Sequence, residues 1–153
     1  QLDFPLIIVG NGPEEKKLKK MAKNNISFLN YQDDLSIKNL MESCRAFVYS
    51  GTEDFGIAPV EAMAAGAPII AFKKAGILDT VKCISSEANR ATGILFGEQN
   101  DKALRDCINS FEEKKLWLEF SSEDINIWAQ NFSIDNFKNK FSNLIFKSQQ
   151  DFN

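Results

Sequence analysis

Short runs of apolar residues alternate along this chain with segments in which apolar residues recur every three or four positions. The runs predict strands, and the recurring positions predict helices. Strands are predicted at residues 6–9, 26–29, 46–49, 69–72 and 93–96. Helices are predicted at residues 14–24, 35–44, 58–65, 78–81 and 101–113, with two more in 116–147 that separate near Phe132 and Ser133, Ser133 capping the second.

The predicted strands are apolar throughout, and helices separate them. Strands of this kind belong to parallel sheets that are covered on both faces, so the fold class is α/β, a Rossmann-like parallel sheet flanked by helices. Ligands of such sheets bind beyond the carboxyl ends of the strands. The loops at those ends are residues 10–13, 29–32, 50–56 and 73–78.

Composition and charge remove several classes of function. A chain of 153 residues, of which 44% are hydrophobic and 25% are charged, has the composition of a single globular domain with a hydrophobic core. A net charge of −3 with dispersed lysines argues against nucleic acid as a partner. Three cysteines without CxxC spacing and no histidine argue against a zinc site and favour free thiols in the cytoplasm. No apolar run approaches the roughly 20 residues of a membrane span.

The stretch between the third strand and the following helix carries two carboxylates, Glu53 and Glu61, on either side of Gly56. Glycine lets the backbone turn, and the start of the helix presents free N–H groups to an anion. Glu61 is predicted in the first turn of this helix and Glu53 just before it, so both could bind hydroxyls of a ligand whose phosphate rests there. This arrangement suits a nucleotide sugar. The alternative is that Glu61 only interacts with the helix dipole and that Glu53 is solvated.

The sequence EDFGIAPVE at residues 53–61, followed by AMAAGAPIIA, resembles the E-x7-E signature of the retaining glycosyltransferases of family 4. The likeness extends to GNGP at 10–13, AGILDTV at 75–81 and ATGILF at 91–96. The resemblance implies the C-terminal, donor-binding half of a GT-B fold without its first strand and helix. Residues 1–131 would form the nucleotide-sugar-binding domain, and residues 132–153 its closing helix and tail.

The resemblance also implies roles for single residues. Glu61 would bind the ribose hydroxyls and Glu53, the residue assigned to catalysis, would bind hydroxyls of the transferred sugar. The backbone of Phe55, Gly56, Ile57 and Ala58 would contact the sugar and diphosphate. The further assignments are Gly10 and Gly12 near the phosphates or ribose, Leu29 and Tyr31 at the nucleobase, and Asp79, which replaces a glutamate of the family and could equally be a helix cap.

The activity implied for the parent enzyme is transfer of a hexose, of mannose or glucose type, from a GDP- or UDP-linked donor to a glycan or lipid-linked acceptor. The run ATGILFGEQ at 91–99 resembles mannosyltransferases of polysaccharide biosynthesis. No metal or other cofactor is expected, because a DxD motif is absent. The family's basic pair and N-terminal acceptor domain would precede this chain, which alone should be inactive. The parent could associate peripherally with the inner membrane.

Two other classes of function stay open at this point. A non-catalytic nucleotide- or sugar-binding domain, or a partner subunit derived from a transferase, is favoured by Ala75 and Asp79 where the family has glycine and glutamate. A Rossmann-type dehydrogenase rests only on Gly10 and Gly12 and lacks the third glycine and the acidic residue of that fingerprint. Near the C-terminus, Phe137, Phe141 and Leu144 lie at helical spacing, which predicts core positions, although an uncovered part would favour self-association.

Overall fold

The computed structural model of this protein describes residues 2–84 and 90–151. Within them the strands are β1 (Leu6–Val9), β2 (Ile26–Leu29), β3 (Phe47–Tyr49), β4 (Ile69–Phe72) and β5 (Gly93–Phe96). The α-helices are α1 (Glu15–Met21), α2 (Asp34–Ser43), α3 (Ile57–Ala64), α4 (Ile77–Thr80), α5 (Asp101–Glu113), α6 (Ser122–Ala129) and α7 (Ile134–Asp151). Two 3₁₀ helices, Leu116–Glu119 and Gln130–Phe132, flank α6.

The predicted elements are all found, and their bounds differ at a few ends. Helix α1 ends at Met21, three residues early, because Ala22 adopts an extended backbone and its N–H closes the last turn on the Leu18 carbonyl. The segment 116–147 was predicted as two helices. It contains α6 and α7, and each of them is preceded by a short 3₁₀ helix. Ser133 caps α7 as predicted, since its hydroxyl accepts a hydrogen bond of 3.3 Å from the Asn136 N–H.

The chain divides into two compact units, residues 1–40 and 41–153. In the first unit, β1 and β2 pair in parallel, with Leu6 opposite Ile26. Leu6, Ile7 and Val9 are exposed, so the prediction that every strand is covered on both faces is wrong for β1. The reason is that this unit has two strands and one complete helix, which are too few to enclose a sheet.

The second unit contains a parallel sheet in the order β3-β4-β5 and confirms the two-sided core. All four residues of the central strand β4 are buried. Ile69 and Ala71 pack on one side with residues of α3 and α6, while Ile70 and Phe72 pack on the other side with Phe111 of α5. Alternate residues of β4 therefore belong to two separate hydrophobic clusters, as period-two geometry requires.

Helix α7 presents an uncovered apolar face. Phe137, Phe141 and Leu144 are 65%, 52% and 62% exposed, so they are not core residues as their spacing predicts, and the uncovered apolar surface that the sequence left open is found instead. Helical spacing identifies residues that share a face, but it cannot tell what covers that face. Among the residues that the structure describes, no helix combines the length and apolar content that crossing a membrane requires.

Candidate functional site

The loop between β3 and α3 carries both predicted carboxylates and ends at Gly56. Gly56 has φ +82° and is the N-cap of α3, without a capping side chain. A Cβ atom at this position would lie 3.6 Å from Pro59 Cγ, which is an ordinary contact. The left-handed backbone, rather than crowding by protein atoms, therefore requires glycine at residue 56.

The start of α3 has the donors that an anion needs. The first N–H groups of a helix have no partner within the helix, and here they belong to Ile57 and Ala58 because Pro59 has no N–H. The N-cap contributes no side chain that could bind them. The positive end of the helix dipole lies at the same place.

Glu61 is the fifth residue of α3, so the prediction that it lies in the first turn is wrong. The left-handed Gly56 lets the helix begin at Ile57, and this moves Glu61 into the second turn. The side chains of Glu53 and Glu61 are both exposed. The helix dipole stabilises a carboxylate mainly in the first turn of a helix. The interaction of Glu61 with the dipole is therefore weaker in the second turn than it would be in the predicted first turn.

A close backbone contact joins the loop after β3 to the loop after β4. The Gly76 N–H donates to the Glu53 carbonyl at 3.0 Å. A Cβ atom at Gly76 would clash with the Asp54 carbonyl oxygen and would lie 2.6 Å from Phe55 Cα. Only glycine allows these two loops to approach so closely, and their contact holds the segment 53–55 in place.

Two further contacts hold the carboxylate loop. Gln99, which follows β5, donates from Nε2 to the Ser50 carbonyl at 2.9 Å. The Phe55 ring meets the Phe132 ring edge-on, with 5.9 Å between centroids. Sequence reasoning missed both partners because they lie far along the chain from the loop.

Tyr49 is the last residue of β3, and its side chain is half-buried. Burial raises the pKa of the Tyr49 phenol to about 12, and the negative charge of the Glu53 carboxylate contributes to the rise. Sequence reasoning did not assign Tyr49. Its position at the carboxyl end of a strand, four residues before Glu53, was the available signal.

Asp79 is the third residue of α4, and its side chain is exposed. It does not cap this helix, because the N-cap is Gly76 and no side chain binds there. The Thr80 hydroxyl instead donates to the Gly76 carbonyl at 3.0 Å. Ala75, just before the cap, has φ +51°, a left-handed conformation that favours glycine.

In the unit of residues 1–40, the structure brings the loops after β1 and β2 together. Gly10 has φ +110°, and its N–H donates to the Leu29 carbonyl at 2.9 Å. Asn11 Oδ1 accepts a hydrogen bond of 3.1 Å from the Tyr31 N–H. Gly10 and Gly12 thus lie in the loop after β1, Leu29 is the last residue of β2, and Tyr31 lies in the connected loop after β2 with its side chain 82% exposed. Asn11, which makes the connection, was not predicted.

The profile of the family described as "Glycosyl transferases group 1" matches residues 1–130. Among curated proteins, the N-acetyl-alpha-D-glucosaminyl L-malate synthase of Bacillus anthracis is 32% identical over 87 residues, which are 54% of this chain and 23% of that protein. The phosphatidyl-myo-inositol mannosyltransferase of Mycobacterium leprae is 42% identical over 74 residues, 45% of this chain and 20% of that protein. The matches therefore span about a fifth of each relative.

Solved structures share the fold. The Anabaena protein HepE in complex with UDP-glucose has a TM-score of 0.71 and 22% identity over 94% of this chain and 41% of its own. Sucrose-phosphate synthase of Thermosynechococcus elongatus has a TM-score of 0.72 and 21% identity over 94% of this chain and 39% of its own. The architecture, parallel sheets flanked by helices, is that of part of a GT-B glycosyltransferase.

The contact between the two loops predicts opposite effects for two neighbouring substitutions. Ala75→Gly should stabilise the chain by about 0.5–1 kcal/mol, since relief of the left-handed strain exceeds the added entropy of the unfolded chain. Gly76→Ala should destabilise it by about 1–3 kcal/mol, because the new methyl group meets backbone rather than a flexible side chain. Urea unfolding of both variants gives the two free energies. Equal stability of the variants would contradict the close approach of residue 76 to the loop.

Proposed function

We propose that this chain, which belongs to the group 1 glycosyl transferases, forms the donor-binding half of a retaining hexosyltransferase. The observation that carries the proposal is the start of α3, where the N-cap Gly56 offers no side chain to the helix N–H groups. The exposed carboxylates of Glu53 and Glu61 lie shortly before and after this helix start. An anion with hydroxyl-bearing groups on both sides complements such a surface, and a nucleotide sugar is a ligand of that kind.

In this proposal each part of the segment 53–61 has a separate role. The N–H groups of Ile57 and Ala58, with the backbone of Phe55 and Gly56, bind the diphosphate and the sugar. Glu61 accepts hydrogen bonds from the ribose hydroxyls. Glu53 accepts hydrogen bonds from the hexose and orients it for transfer, which makes it the catalytic residue of the chain.

Gly10, Gly12, Leu29 and Tyr31 keep the donor-binding roles that the family resemblance implies for them. The loop with Gly10 and Gly12 presents backbone rather than side chains, which suits contact with a phosphate or a ribose. Leu29 and the exposed ring of Tyr31 suit contact with a nucleobase. Asp79 takes the place of the glutamate that the family resemblance predicts there, and its exposed carboxylate suits a hydroxyl of the donor.

The proposed transfer needs no metal ion. The helix start and the basic residues expected in the rest of the protein would balance the charge that develops on the leaving diphosphate. That diphosphate takes the proton of the attacking hydroxyl, so the two glutamates orient the donor and do not act as bases. The acceptor would bind to the remaining, N-terminal part of the parent enzyme.

For the donor and the acceptor we propose a class of molecule, and for the enzyme a cellular location. The relatives' names mention mannose, N-acetylglucosamine and UDP-glucose, so we propose a GDP- or UDP-linked hexose and a glycan or lipid-linked acceptor. The three cysteines are free thiols, which suits a reducing cytoplasm, and the parent would associate with the inner membrane peripherally. We propose that the parent enzyme resembles a mannosyltransferase and acts in polysaccharide biosynthesis.

A second candidate is a non-catalytic sugar- or nucleotide-binding subunit derived from a transferase. Ala75 in a left-handed conformation and the shorter Asp79 favour this candidate, since both depart from the family pattern in the loop that supports the site. The two candidates differ in one measurement. If the protein is a transferase, its full-length form should release nucleoside diphosphate from a radiolabelled nucleotide sugar when an acceptor is present.

The first prediction of the proposed function concerns nucleotide binding by the 153-residue chain. It should bind GDP or UDP weakly, with a Kd on the order of 0.1–1 mM, because the helix start supplies only part of the contacts to the diphosphate. Calorimetry with GDP, UDP and ADP measures the Kd in magnesium and in EDTA. The values should agree. Binding that disappears in EDTA would contradict the metal-independent mechanism.

The second prediction separates the two glutamates in the full-length enzyme. Glu61→Ala should weaken nucleoside diphosphate binding about 10- to 100-fold, since a hydrogen bond to a charged group contributes about 1.5–3 kcal/mol. Glu53→Ala should lower kcat and leave nucleoside diphosphate affinity nearly unchanged, because its contacts are with the transferred sugar.

Glu113→Ala is the matched control, because it removes an exposed carboxylate at the far end of α5. It should change neither quantity. If a folded Glu61→Ala protein binds the nucleotide as tightly as wild type does, the ribose assignment is wrong.

A further inference from the structure

The side chain of Asn11 fastens the loop after β1 to the loop after β2. Just beyond β1, the Gly10 N–H donates to the Leu29 carbonyl at 2.9 Å. One residue further on, Asn11 Oδ1 accepts a hydrogen bond of 3.1 Å from the Tyr31 N–H, while its Nδ2 atom lies 3.5 Å from Asn30 Oδ1. Because a backbone N–H can only donate, its contact also fixes which end of the Asn11 amide faces Tyr31.

A second side chain holds the same loop from its C-terminal end. Gln32 Nε2 donates to the Asn30 carbonyl at 3.2 Å and to the Tyr31 carbonyl at 3.0 Å. An amide nitrogen carries two hydrogens, so both bonds can form at once. The backbone of Tyr31 is therefore bonded on both sides, its N–H to Asn11 and its carbonyl to Gln32.

The ring of Tyr31 is the accessible part of this residue. Tyr31 is 82% exposed, although its backbone is tied to two side chains. A backbone N–H donates one strong hydrogen bond, so the Tyr31 N–H is already used and is not free to read the edge of a base. The ring instead presents a flat π face, on which any nucleobase can stack.

We propose that Asn11 and Gln32 are positioning residues that occupy the backbone of Tyr31, so that the donor nucleobase stacks on the Tyr31 ring and one base is distinguished poorly from another. This inference rests on the proposed function and specifies its donor site as one that accepts uracil, guanine and adenine. A site that reads a ligand by hydrogen bonds rejects analogues that lack them. Stacking tolerates every base and favours the larger ones only modestly.

The tolerance can be measured by calorimetry on the full-length protein with UDP, GDP and ADP, and with ribose 5-diphosphate as a reference that has no base. The three nucleotides should have Kd values within about 10-fold of one another, and each should bind about 5- to 150-fold more tightly than the reference. Tyr31→Ala should remove this advantage, and Tyr31→Phe, which keeps the ring, should restore it. A larger preference for one base that persists in Tyr31→Ala would overturn the proposal.

The role of Asn11 can be tested with the same ligands. Asn11→Ala should weaken all three nucleotides about 3- to 10-fold and leave the reference unchanged, because the loop that carries the ring loses its fixed position. Asn11→Asp keeps an oxygen that accepts the Tyr31 N–H, so it should restore the ratio of each nucleotide Kd to the reference Kd. The ratio is the right measure because the added charge repels both ligands.

Asn24→Ala is the matched control, since it removes an exposed asparagine from the turn before β2. It should change no Kd value. An Asn11→Ala protein that binds the three nucleotides as tightly as wild type does would overturn the proposal.

The contact between Asn11 and Tyr31 can also be tested without a ligand. In the ¹⁵N-labelled 153-residue chain, hydrogen exchange of the Tyr31 amide should accelerate about 3- to 10-fold in Asn11→Ala. An unchanged rate would overturn the proposal. A full-length protein that binds neither the nucleotides nor the reference would contradict the proposed function itself, whereas equal binding of both would leave that function standing and overturn only the inference about the base.

Discussion

The close approach of Gly76 to the backbone of Asp54 and Phe55 is the contact on which the rest of the site depends. It joins the loops that follow two neighbouring strands, β3 and β4, through the hydrogen bond from the Gly76 N–H to the Glu53 carbonyl. Because β4 is buried along its whole length, this contact joins an exposed loop to the end of a strand in the core of the second unit. The direction in which α3 leaves the loop then follows from the left-handed turn at Gly56.

The segment 53–61 combines a backbone held by hydrogen bonds with exposed carboxylates, and this combination suits ligand binding better than it suits stability. The loop is held through its carbonyl groups at residues 50 and 53, while the carboxylates of Glu53 and Glu61 face solvent. Exposed carboxylates contribute little to folding. Backbone donors at the start of α3 complete a surface on which an anion and hydroxyl groups would both find partners.

The sequence predicted the bounds of the strands well. Residues 6–9, 26–29, 69–72 and 93–96 all form strands with the predicted bounds, because each is a short, mainly apolar run placed between turn residues. It did not predict that β1 and the apolar face of α7 are exposed, because apolar periodicity says which residues share a face and not what covers it. Glu61 was placed one turn too early, since the start of α3 depends on the backbone conformation of Gly56. Gln99 and Asn11 were not predicted because their roles come from tertiary contacts, such as the one between Gln99 and Ser50, 49 residues apart.

A crystal structure of the full-length protein with an intact nucleotide sugar would test the central claim most directly. The account predicts a diphosphate oxygen within about 3 Å of the N–H groups of Ile57 or Ala58, which is the distance of a hydrogen bond. It also predicts the Glu61 carboxylate on the ribose hydroxyls and the Glu53 carboxylate on the hexose. A diphosphate bound away from the start of α3, with both glutamates still in solvent, would contradict the account.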